Sequence, residues 1–330
     1  MEDDQKADKK AMLVTGASGF IGSVLANRLS QQNKRVKALV RVGGDISKIQ
    51  NKNLKISYGD IRDYDNVDQA VEGCDQIVHL AGITKGSLAE LNEVNLVGLK
   101  NILRAAVKHK VRKVIFLSSI AVYGECLDTT EASSYNPYDD YGRSKVMAEE
   151  YIKEFNKKYP LPVVIMRPSH VYGPGGRSNI QQMFQYINRK KYFIFGSGKN
   201  LINLVYLEDL LDIIINILED DKIKSDDFII SGPRPYMLKE LSYKIAQVCR
   251  VRKPLSLPYS AGYILGGICE VISKMTKKKM PLSRSRVKNL ARSRSFRIDK
   301  AQRILNYFPS TDFDKTLTES YEYYKNEGLI

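Results

Sequence analysis

The sequence predicts an α/β fold, with a doubly wound parallel sheet followed by a smaller C-terminal α/β domain. Short apolar runs at residues 11–14, 54–58 and 76–80 are separated by helical segments, and strands that alternate with helices imply right-handed crossovers and a parallel sheet. Residues 15–22, T-G-A-S-G-F-I-G, join the first strand to an apolar-periodic segment. A glycine turn at a helix N-terminus attracts a pyrophosphate, which indicates a Rossmann-type, dinucleotide-binding sheet.

The other elements of this sheet follow from hydrophobic periodicity. Further strands are expected at 35–40, 111–117 and 161–167, and helices at 20–30, 90–109 and in a polar segment that ends at residue 72. Gly98 falls inside the long helix, where glycine costs about 1 kcal/mol relative to alanine. We therefore expect another segment to pack closely against Gly98.

Length and composition predict one large domain or two unequal domains. The chain has 330 residues, of which 43% are hydrophobic, which is ample for a sizeable core. Residues 11–175 are expected to form the NAD(P)-binding domain, with about 203–232 returning to it, and residues 176–330 to form mainly the substrate-binding domain. The charged residues 1–10 are expected to be a disordered lead-in.

The net charge of +15 is concentrated in one segment. Residues 273–303 carry twelve lysines and arginines against a single acid, Asp299. They follow the apolar helix predicted at 259–275, in which Ile264, Ile268 and Met275 can share one face with Val271 and Ile272. Such a helix either packs inside the small domain, covers an apolar pocket or lies on an anionic membrane surface. Nucleic acid is disfavoured, because Phe296 is the one aromatic residue in the basic segment.

Cysteine and histidine usage argues against disulfide and metal chemistry. The four cysteines form no C-x-x-C pair and the three histidines show no metal-ligand spacing. No apolar run reaches the length of a membrane span, and no secretory leader precedes the first strand. We expect a cytoplasmic protein without a metal site.

The strand ends predict where a dinucleotide would lie. Arg41 ends the second strand, where an acid binds the ribose 2'-hydroxyl of NAD and an arginine suits the 2'-phosphate of NADP(H). Arg41 therefore favours NADP(H), although it is also consistent with an ordinary solvated arginine beside Asp45. Asp60, after the third strand, is placed either to accept from the adenine amino group or to cap a helix. The small Ala81 and Gly82 leave room for the cofactor.

Tyr141 and Lys145 are the candidates for chemistry. They lie one helical turn apart and therefore share a face. A tyrosine has an ordinary pKa near 10, but a lysine ammonium and a cationic nicotinamide would both stabilise its phenolate. Ser119, at the end of the preceding strand, could hold the substrate oxygen for hydride transfer.

Taken together, these motifs resemble the extended short-chain dehydrogenase/reductases, the NAD-dependent epimerase/dehydratase group. The resemblance spans about residues 11–325. It rests on the glycine turn and on G-D-I-R-D (59–63), H-L-A-G (79–82), N-L-V-G-L-K-N (95–101), S-S-I-A-V-Y-G (118–124), Y-G-R-S-K (141–145) and R-P-S-H-V-Y-G-P-G (167–175).

The resemblance implies specific site residues and a homodimer. The implied catalytic set is Ser119, Tyr141 and Lys145, with Asn95 supporting a proton relay. The predicted cofactor contacts are Gly16, Ser18, Gly19, Phe20, Ile21, Gly22, Arg41, Asp60, Ile61, Leu80, Ala81, Gly82, Ser118, Tyr141, Lys145, Pro168 and Ser169. The predicted substrate contacts are Thr84, Ser119, His170 and Asn203.

The substrate class stays open at the level of sequence. Nucleotide-sugar epimerases, dehydratases and reductases are the first hypothesis, with NAD as the cofactor of an epimerase. Many of them have an Arg-Asp pair where Ile202 and Asn203 stand here, and Arg292 or Arg294 is the candidate substitute for the diphosphate-binding arginine. Arg41, Ile202 and the apolar helix favour a 3-beta-hydroxysteroid dehydrogenase or dihydroflavonol reductase type instead. A non-catalytic cofactor-binding protein is the third alternative.

Overall fold

The computed structural model describes residues 11–49, 54–175, 178–276, 280, 282–309 and 312–330. The lead-in predicted at residues 1–10 lies outside these ranges, as do three lysines of the basic segment, at 277–279.

Fifteen strands and twelve α-helices make up the described ranges. The strands are β1 Ala11–Thr15, β2 Val36–Val40, β3 Leu54–Tyr58, β4 Cys74–His79, β5 Lys113–Leu117, β6 Cys126–Thr129, β7 Val163–Pro168, β8 His170–Tyr172, β9 Phe193–Phe195, β10 Leu201–Ile202, β11 Leu204–Tyr206, β12 Asp226–Ile230, β13 Tyr236–Met237, β14 Leu255–Leu257 and β15 Arg294–Phe296. The helices are α1 Phe20–Gln31, α2 Tyr64–Val71, α3 Leu88–Asn92, α4 Gly98–Lys108, α5 Asp140–Lys158, α6 Asn179–Asn188, α7 Leu207–Glu219, α8 Leu238–Val248, α9 Tyr259–Thr276, α10 Arg284–Leu290, α11 Asp299–Leu305 and α12 Phe313–Asn326.

Seven parallel strands form the central sheet, in the order β12-β7-β5-β4-β1-β2-β3. The chain runs outward from β1 to β3 on one side, then returns to β4 on the other side of β1. That reversal between β1 and β4 is the switch point at which doubly wound sheets bind ligands. The predicted Rossmann-type fold class is confirmed.

Alternate residues of the sheet strands enter two separate apolar clusters. Val14 packs with α1 and α7, whereas its neighbour Leu13 packs with α2, α4 and α5. Successive side chains of a strand point to opposite faces, so each cluster covers one face of the sheet. The near-continuous burial of β4 and β7 is typical of parallel strands covered on both sides.

A third apolar cluster lies in the C-terminal half. It is built from α6, α8 and α12, with buried Phe184, Leu241 and Leu317. Short strand pairs connect this half to the chain before it, including β8 with β11 and β6 with β15. The strand β12, within the segment expected to return, is at the edge of the central sheet. The domain boundary near residue 175 stays a prediction.

The long helix predicted at 90–109 is continuous but locally widened. It begins earlier, with α3, passes through a π turn at Glu93–Val97 and continues as α4. A Cβ on Gly98 would lie 2.5 Å from Ile61 Cδ1, so the close contact expected at Gly98 is confirmed. Single π turns often occur at functional sites, and this one contains Asn95.

The helix α9 does not bury its large apolar face in the small domain, which was one of the three alternatives from the sequence. Its buried residues are Gly262, Gly266 and Gly267. A Cβ on Gly262 would lie 2.4 Å from the Phe195 ring, and one on Gly266 would lie 2.8 Å from the backbone nitrogen of Arg284. The glycines let the backbone approach its neighbours closely, so the helix packs through its small residues and leaves its large apolar residues outside.

The large apolar residues of α9 are exposed to solvent. The exposed fractions are 61% for Ile264, 51% for Ile268, 58% for Val271 and 79% for Met275. In the part of the chain that the structure describes, no helix meets the length and hydropathy of a membrane span.

A buried ion pair holds α5 against the sheet. Arg167 on β7 and Glu149 on α5 are both fully buried, with 2.6 Å between Arg167 Nη2 and Glu149 Oε2. Arg167 also donates to the hydroxyls of Tyr123 and Tyr135, at 2.7 and 3.1 Å, and pairs with Asp227 at 2.6 Å. Hydrogen bonds satisfy both charges, as burial requires.

We predict that Arg167→Met lowers the free energy of unfolding by about 3–5 kcal/mol, because it leaves the Glu149 carboxylate buried without its partner. Urea unfolding followed by circular dichroism measures this change. Arg234→Met is the matched control, since Arg234 forms a half-exposed pair with Glu240 that is worth at most about 1 kcal/mol. Equal midpoints for the two variants would contradict the assigned role of the buried pair.

Candidate active site

The glycine turn brings the backbone of β1 against the end of β4. Gly16 has φ +67°, and a Cβ there would lie 2.8 Å from the Ala81 nitrogen. A Cβ on Gly22 would lie 2.2 Å from Gly16 O. The turn is closed by a hydrogen bond of 2.9 Å from Gly19 N to Gly16 O. Position 16 therefore requires glycine because of its positive φ, and position 22 requires glycine because there is no room for a Cβ.

The helix α1 presents its N-terminus without a capping side chain at Gly19. Its first-turn amides, including those of Phe20 and Ile21, are left for a ligand, and the helix dipole favours an anion there. Ser18 is exposed in the loop just before this helix. The turn and the helix end thus fit the pyrophosphate of a dinucleotide.

A hydrogen-bonded pair fixes the neighbouring loop. Thr15 Oγ1 lies 2.7 Å from His79 Nδ1 and accepts from the Ala81 nitrogen at 3.1 Å. Burial lowers the pKa of His79 to about 3, helped by the Lys145 charge, so His79 is neutral. This pair orders Leu80 and Ala81 beside the glycine turn.

A cavity of about 430 Å³ lies at the ends of β2 and β3. It is lined by Arg41, Val42, Gly43, Gly44, Gly59, Asp60, Asp63 and Asn66. This is the place where the adenosine half of a dinucleotide was expected. Asp60 forms a two-point pair with Arg62, and that hydrogen bond holds the pKa of its carboxyl below the usual value. The helix cap is Asp63, not Asp60, since Asp63 accepts from the first-turn amides of α2.

Ser119 and Tyr141 are in contact. Burial raises the pKa of Tyr141 to about 12 and outweighs the opposite effect of the neighbouring Ser119 hydroxyl. Ser119 Oγ also accepts from Ala121 N at 3.1 Å, which fixes its rotamer. The phenol therefore keeps its proton at neutral pH until additional positive charge enters the site.

Lys145 is buried, and its side chain reaches the end of β5. Its Nζ donates to Leu117 O at 2.8 Å and lies 4.6 Å from the centre of the Phe116 ring. Burial lowers its pKa to about 8. The expected stabilisation of the Tyr141 phenolate by this ammonium stays a prediction.

Asn95 joins three segments beneath the site. Its Oδ1 accepts from Ile83 N at 2.9 Å, and its Nδ2 donates to Ile83 O and Ser144 Oγ, both at 3.0 Å. A Cβ on Gly82 would lie 3.0 Å from Asn95 Oδ1 and 3.8 Å from Lys145 Nζ. Asn95 therefore holds the loop after β4 next to α5.

Several predicted contacts are bonded or packed within the fold, and one is exposed. The Ser118 hydroxyl donates to the buried Glu149 carboxylate, and Ile61 is buried against Gly98. Asn203 is buried and donates from Nδ2 to Ser231 Oγ at 3.0 Å. Thr84 is on an exposed loop.

Two predicted contacts have buried polar atoms that lack a hydrogen-bond partner in the described part of the chain. Among the described residues, Ser169 Oγ and Asn203 Oδ1 are buried without a hydrogen-bond partner. Both belong to the segments after β7 and β10 that were expected to line the nicotinamide and substrate, with Pro168 beside Ser169. These orphan atoms, the glycine turn and the α1 N-terminus are consistent with a bound nicotinamide dinucleotide.

Two arginines lie next to this group. The guanidinium carbons of Arg292 and Arg294 are 4.3 and 4.6 Å from the centre of the Tyr138 ring. Within the described ranges, Arg292 Nη1 and the Nε and Nη2 atoms of Arg294 are buried without hydrogen-bond partners, while Arg292 Nε lies 3.8 Å from Glu125 Oε2. Burial, together with the Arg294 charge, lowers the pKa of His170 to about 4. Tyr138, His170 and both arginines therefore form one substrate-side cluster.

The segment with these arginines is held beside Ile202. Ser293 Oγ accepts from Leu201 N at 2.9 Å, and Asn200 Nδ2 donates to Leu290 O at 2.8 Å. The guanidinium groups thus enter the site from a later segment, near the position where the sequence lacks the expected arginine.

Several residues of the site were missed by sequence reasoning. Tyr138 and Glu149 lie outside the quoted motifs, and Thr15, His79 and Ser144 lie inside them but had no predicted role. The roles of all five depend on partners far along the chain. The spacing of Glu149, one turn after Lys145 on α5, was an available signal for a buried partner on the sheet.

Comparisons with known proteins agree with this geometry. Residues 12–231 match the model of the NAD dependent epimerase/dehydratase family. The chain is 28% identical over 334 residues to the N-acetyl-alpha-D-glucosaminyl-diphospho-ditrans,octacis-undecaprenol 4-epimerase of Escherichia coli O157:H7, covering 96% of this chain and 97% of that protein. It is 27% identical over 350 residues to the decarboxylating sterol-4-alpha-carboxylate 3-dehydrogenase of Candida albicans, covering 97% and 99%.

A solved structure shows the same fold over almost the whole chain. The UDP-glucose 4-epimerase of Thermotoga maritima, solved with UDP-glucose, superposes with a TM-score of 0.80 at 22% identity, covering 96% of this chain and 99% of that one. The family match covers two thirds of the sequence, which sets aside the non-catalytic alternative. The chain belongs to the NAD dependent epimerase/dehydratase family and is an NAD-dependent enzyme of the epimerase and oxidoreductase type.

Proposed function

We propose that this enzyme epimerises a ring carbinol carbon of a sugar that is carried on a diphosphate. The observation that carries the proposal is the arginine pair, whose buried guanidinium nitrogens lack partners among the described residues. A buried donor without a partner costs about 1–3 kcal/mol, and more when it is charged. A diphosphate, with its acceptor oxygens and negative charge, satisfies such donors in the bidentate manner that arginine favours.

The arginine pair is linked to the reacting groups through one aromatic side chain. Tyr138 stacks against both guanidinium groups and lies three residues before Tyr141, in the loop that leads into α5. A diphosphate held there would leave the attached sugar ring near Ser119 and Tyr141. The relative from Escherichia coli has a name that describes such a substrate, a sugar on a lipid diphosphate.

The side chains of the site divide the chemistry between them. Ser119, held by Ala121 N, accepts or donates at the substrate oxygen, and Tyr141 takes the hydroxyl proton and gives it back. Lys145 and Asn95 position α5 and the loop after β4. NAD, when bound by the glycine turn and the α1 N-terminus, supplies the reversible hydride acceptor that inversion of a carbinol needs.

We infer that the cofactor is NAD and that Arg41 does not select NADP(H). Arg41 lines the adenosine cavity together with two carboxylates, Asp60 and Asp63. Hydrogen bonds, from Arg62 to Asp60 and from Asn66 to Asp63, lower the pKa of both carboxyls and keep them ionised. Two fixed negative charges oppose a 2'-phosphate, while an ionised carboxylate suits a ribose hydroxyl.

A second candidate is the oxidation of an apolar cyclic alcohol, as in a sterol dehydrogenase. Ile202 stands where an arginine was expected, and the sterol-4-alpha-carboxylate 3-dehydrogenase aligns over nearly the whole chain. An acidic sterol would also pair with Arg292 or Arg294. The two functions differ in product, since an epimerase returns the hydride and a dehydrogenase accumulates NADH.

Tyr141→Phe should lower epimerisation about 10²- to 10⁴-fold, since it removes the group that moves the hydroxyl proton. The assay follows inversion of UDP-N-acetylglucosamine and of N-acetylglucosamine on a polyprenyl diphosphate, which separates the two diphosphate carriers. NAD binding should stay within about threefold.

Tyr159→Phe is the matched control for this substitution, because Tyr159 follows the same helix and is 43% exposed. Stoichiometric NADH release with a sterol, and no inversion of either sugar, would favour the second candidate. Unchanged turnover in Tyr141→Phe would remove Tyr141 from the reaction.

Arg292→Gln and Arg294→Gln should each raise KM for the diphosphate substrate by about tenfold or more, since each removes a charge-assisted contact. Steady-state kinetics with the substrate that reacts gives KM and kcat separately. Arg297→Gln is the control, because Arg297 is exposed and paired with Asp299. If KM is the same in all three variants, the diphosphate assignment fails.

Arg41→Ala tests the cofactor. We expect the wild-type protein to bind NAD at least tenfold more tightly than NADP, and the variant to keep its NAD affinity within about threefold, because the carboxylates, not the arginine, set the preference. Fluorescence titration with NADH and NADPH measures both constants. A preference for NADPH that disappears in Arg41→Ala would reverse the inference.

A further inference from the structure

Large apolar side chains are exposed along one face of α9. Ile264, Ile268, Val271 and Met275 follow one another at helical spacing, on the side opposite the buried glycines. Leu265 and Ile272 flank them, with exposed fractions of 44% and 38%. Contiguous apolar patches of this kind mark contacts with a membrane or a partner.

Basic side chains border this face. Lys274 is exposed on α9 itself, and Arg284, Arg286 and Lys288 are exposed on α10, which packs directly against α9. Glu270, the acid of α9, accepts from the backbone nitrogen of Arg284 at 2.9 Å and so belongs to the contact with α10. In the sequence, Lys277, Lys278 and Lys279 follow the helix.

We propose that α9 and α10 form a docking surface for an anionic phospholipid bilayer. An apolar helix face with a cationic border lies in the membrane interface, with its apolar side chains among the acyl chains and its cations at the headgroups. A protein partner of ordinary composition would not need basic residues along this border. A negatively charged surface needs them to balance its charge. Charge complementarity therefore selects the bilayer as the occupant.

The position of α10 connects this surface to the active site. α10 ends at Leu290, and Arg292 follows in the segment held by Asn200 and Leu201. Docking would thus hold the arginine pair close to the headgroups. The link between docking and the arginine pair rests on the proposed function. It explains how the enzyme could reach a sugar diphosphate whose lipid tail stays in the membrane.

Co-sedimentation of the full chain with vesicles tests the docking surface without reference to catalysis. We expect the protein to pellet with vesicles of phosphatidylcholine and phosphatidylglycerol, and to stay in the supernatant with phosphatidylcholine alone, because the cations need anionic headgroups. Ile264→Gln with Ile268→Gln should weaken binding about tenfold or more, since the apolar contribution is lost. Lys274→Gln and Lys288→Gln should each weaken it by about fivefold.

Ile304→Gln is the matched control, because Ile304 is an isoleucine on the helix α11 that is 44% exposed. It should sediment as the wild type does. NAD binding and circular dichroism should be the same in all variants, since the substituted side chains point to solvent. A failure to pellet with anionic vesicles would overturn the proposal.

Equal sedimentation of the control and the Ile264, Ile268 double variant would also overturn it. So would a change of oligomeric state in that double variant, measured by light scattering without lipid, since the face would then be an interface between copies. Loss of epimerase activity without loss of vesicle binding would instead count against the proposed function alone.

Discussion

The buried ion pair between Arg167 and Glu149 determines where the helix α5 lies. It ties α5 to the end of β7, and through Ser118 and Asp227 to β5 and β12. Because Tyr141 and Lys145 are on the same helix, two turns and one turn before Glu149 respectively, their positions depend on this anchor. A charge pair in the sheet's interior is stable only when every lone pair and proton is satisfied, which is why two tyrosines join it.

The site is then assembled from the carboxyl ends of the strands on both sides of the switch point. β1 and β4 provide the glycine turn and the Thr15–His79 pair, while β5 and β7 provide Ser119 and the segment up to His170. The π turn in the helix after β4 brings Asn95 under the same loop. Cofactor-side and substrate-side groups therefore meet where a parallel sheet leaves its strand ends open.

The C-terminal half contributes the arginine pair and the exposed apolar face of α9. Arg292 and Arg294 reach the site from a segment that packs beside β10, and α10, which precedes them, packs on α9. Small residues on one side of α9 allow this packing and leave the large apolar residues outside. The arginine pair proposed to bind the substrate and the exposed apolar face thus belong to one continuous stretch of chain.

The sequence by itself determined the sheet, the glycine turn, the family and the Ser119, Tyr141 and Lys145 candidates, because these depend on local periodicity and on motifs of contiguous residues. Only the tertiary structure decided that Lys145 donates to the carbonyl of Leu117, and that Asp60 pairs with Arg62. It also decided which face of α9 is buried, since an amphipathic pattern does not say whether glycines or isoleucines meet the neighbouring helix. Contacts between distant segments are set by packing and by the pairing of buried charges. Neither produces a periodic pattern in the sequence from which it could be predicted.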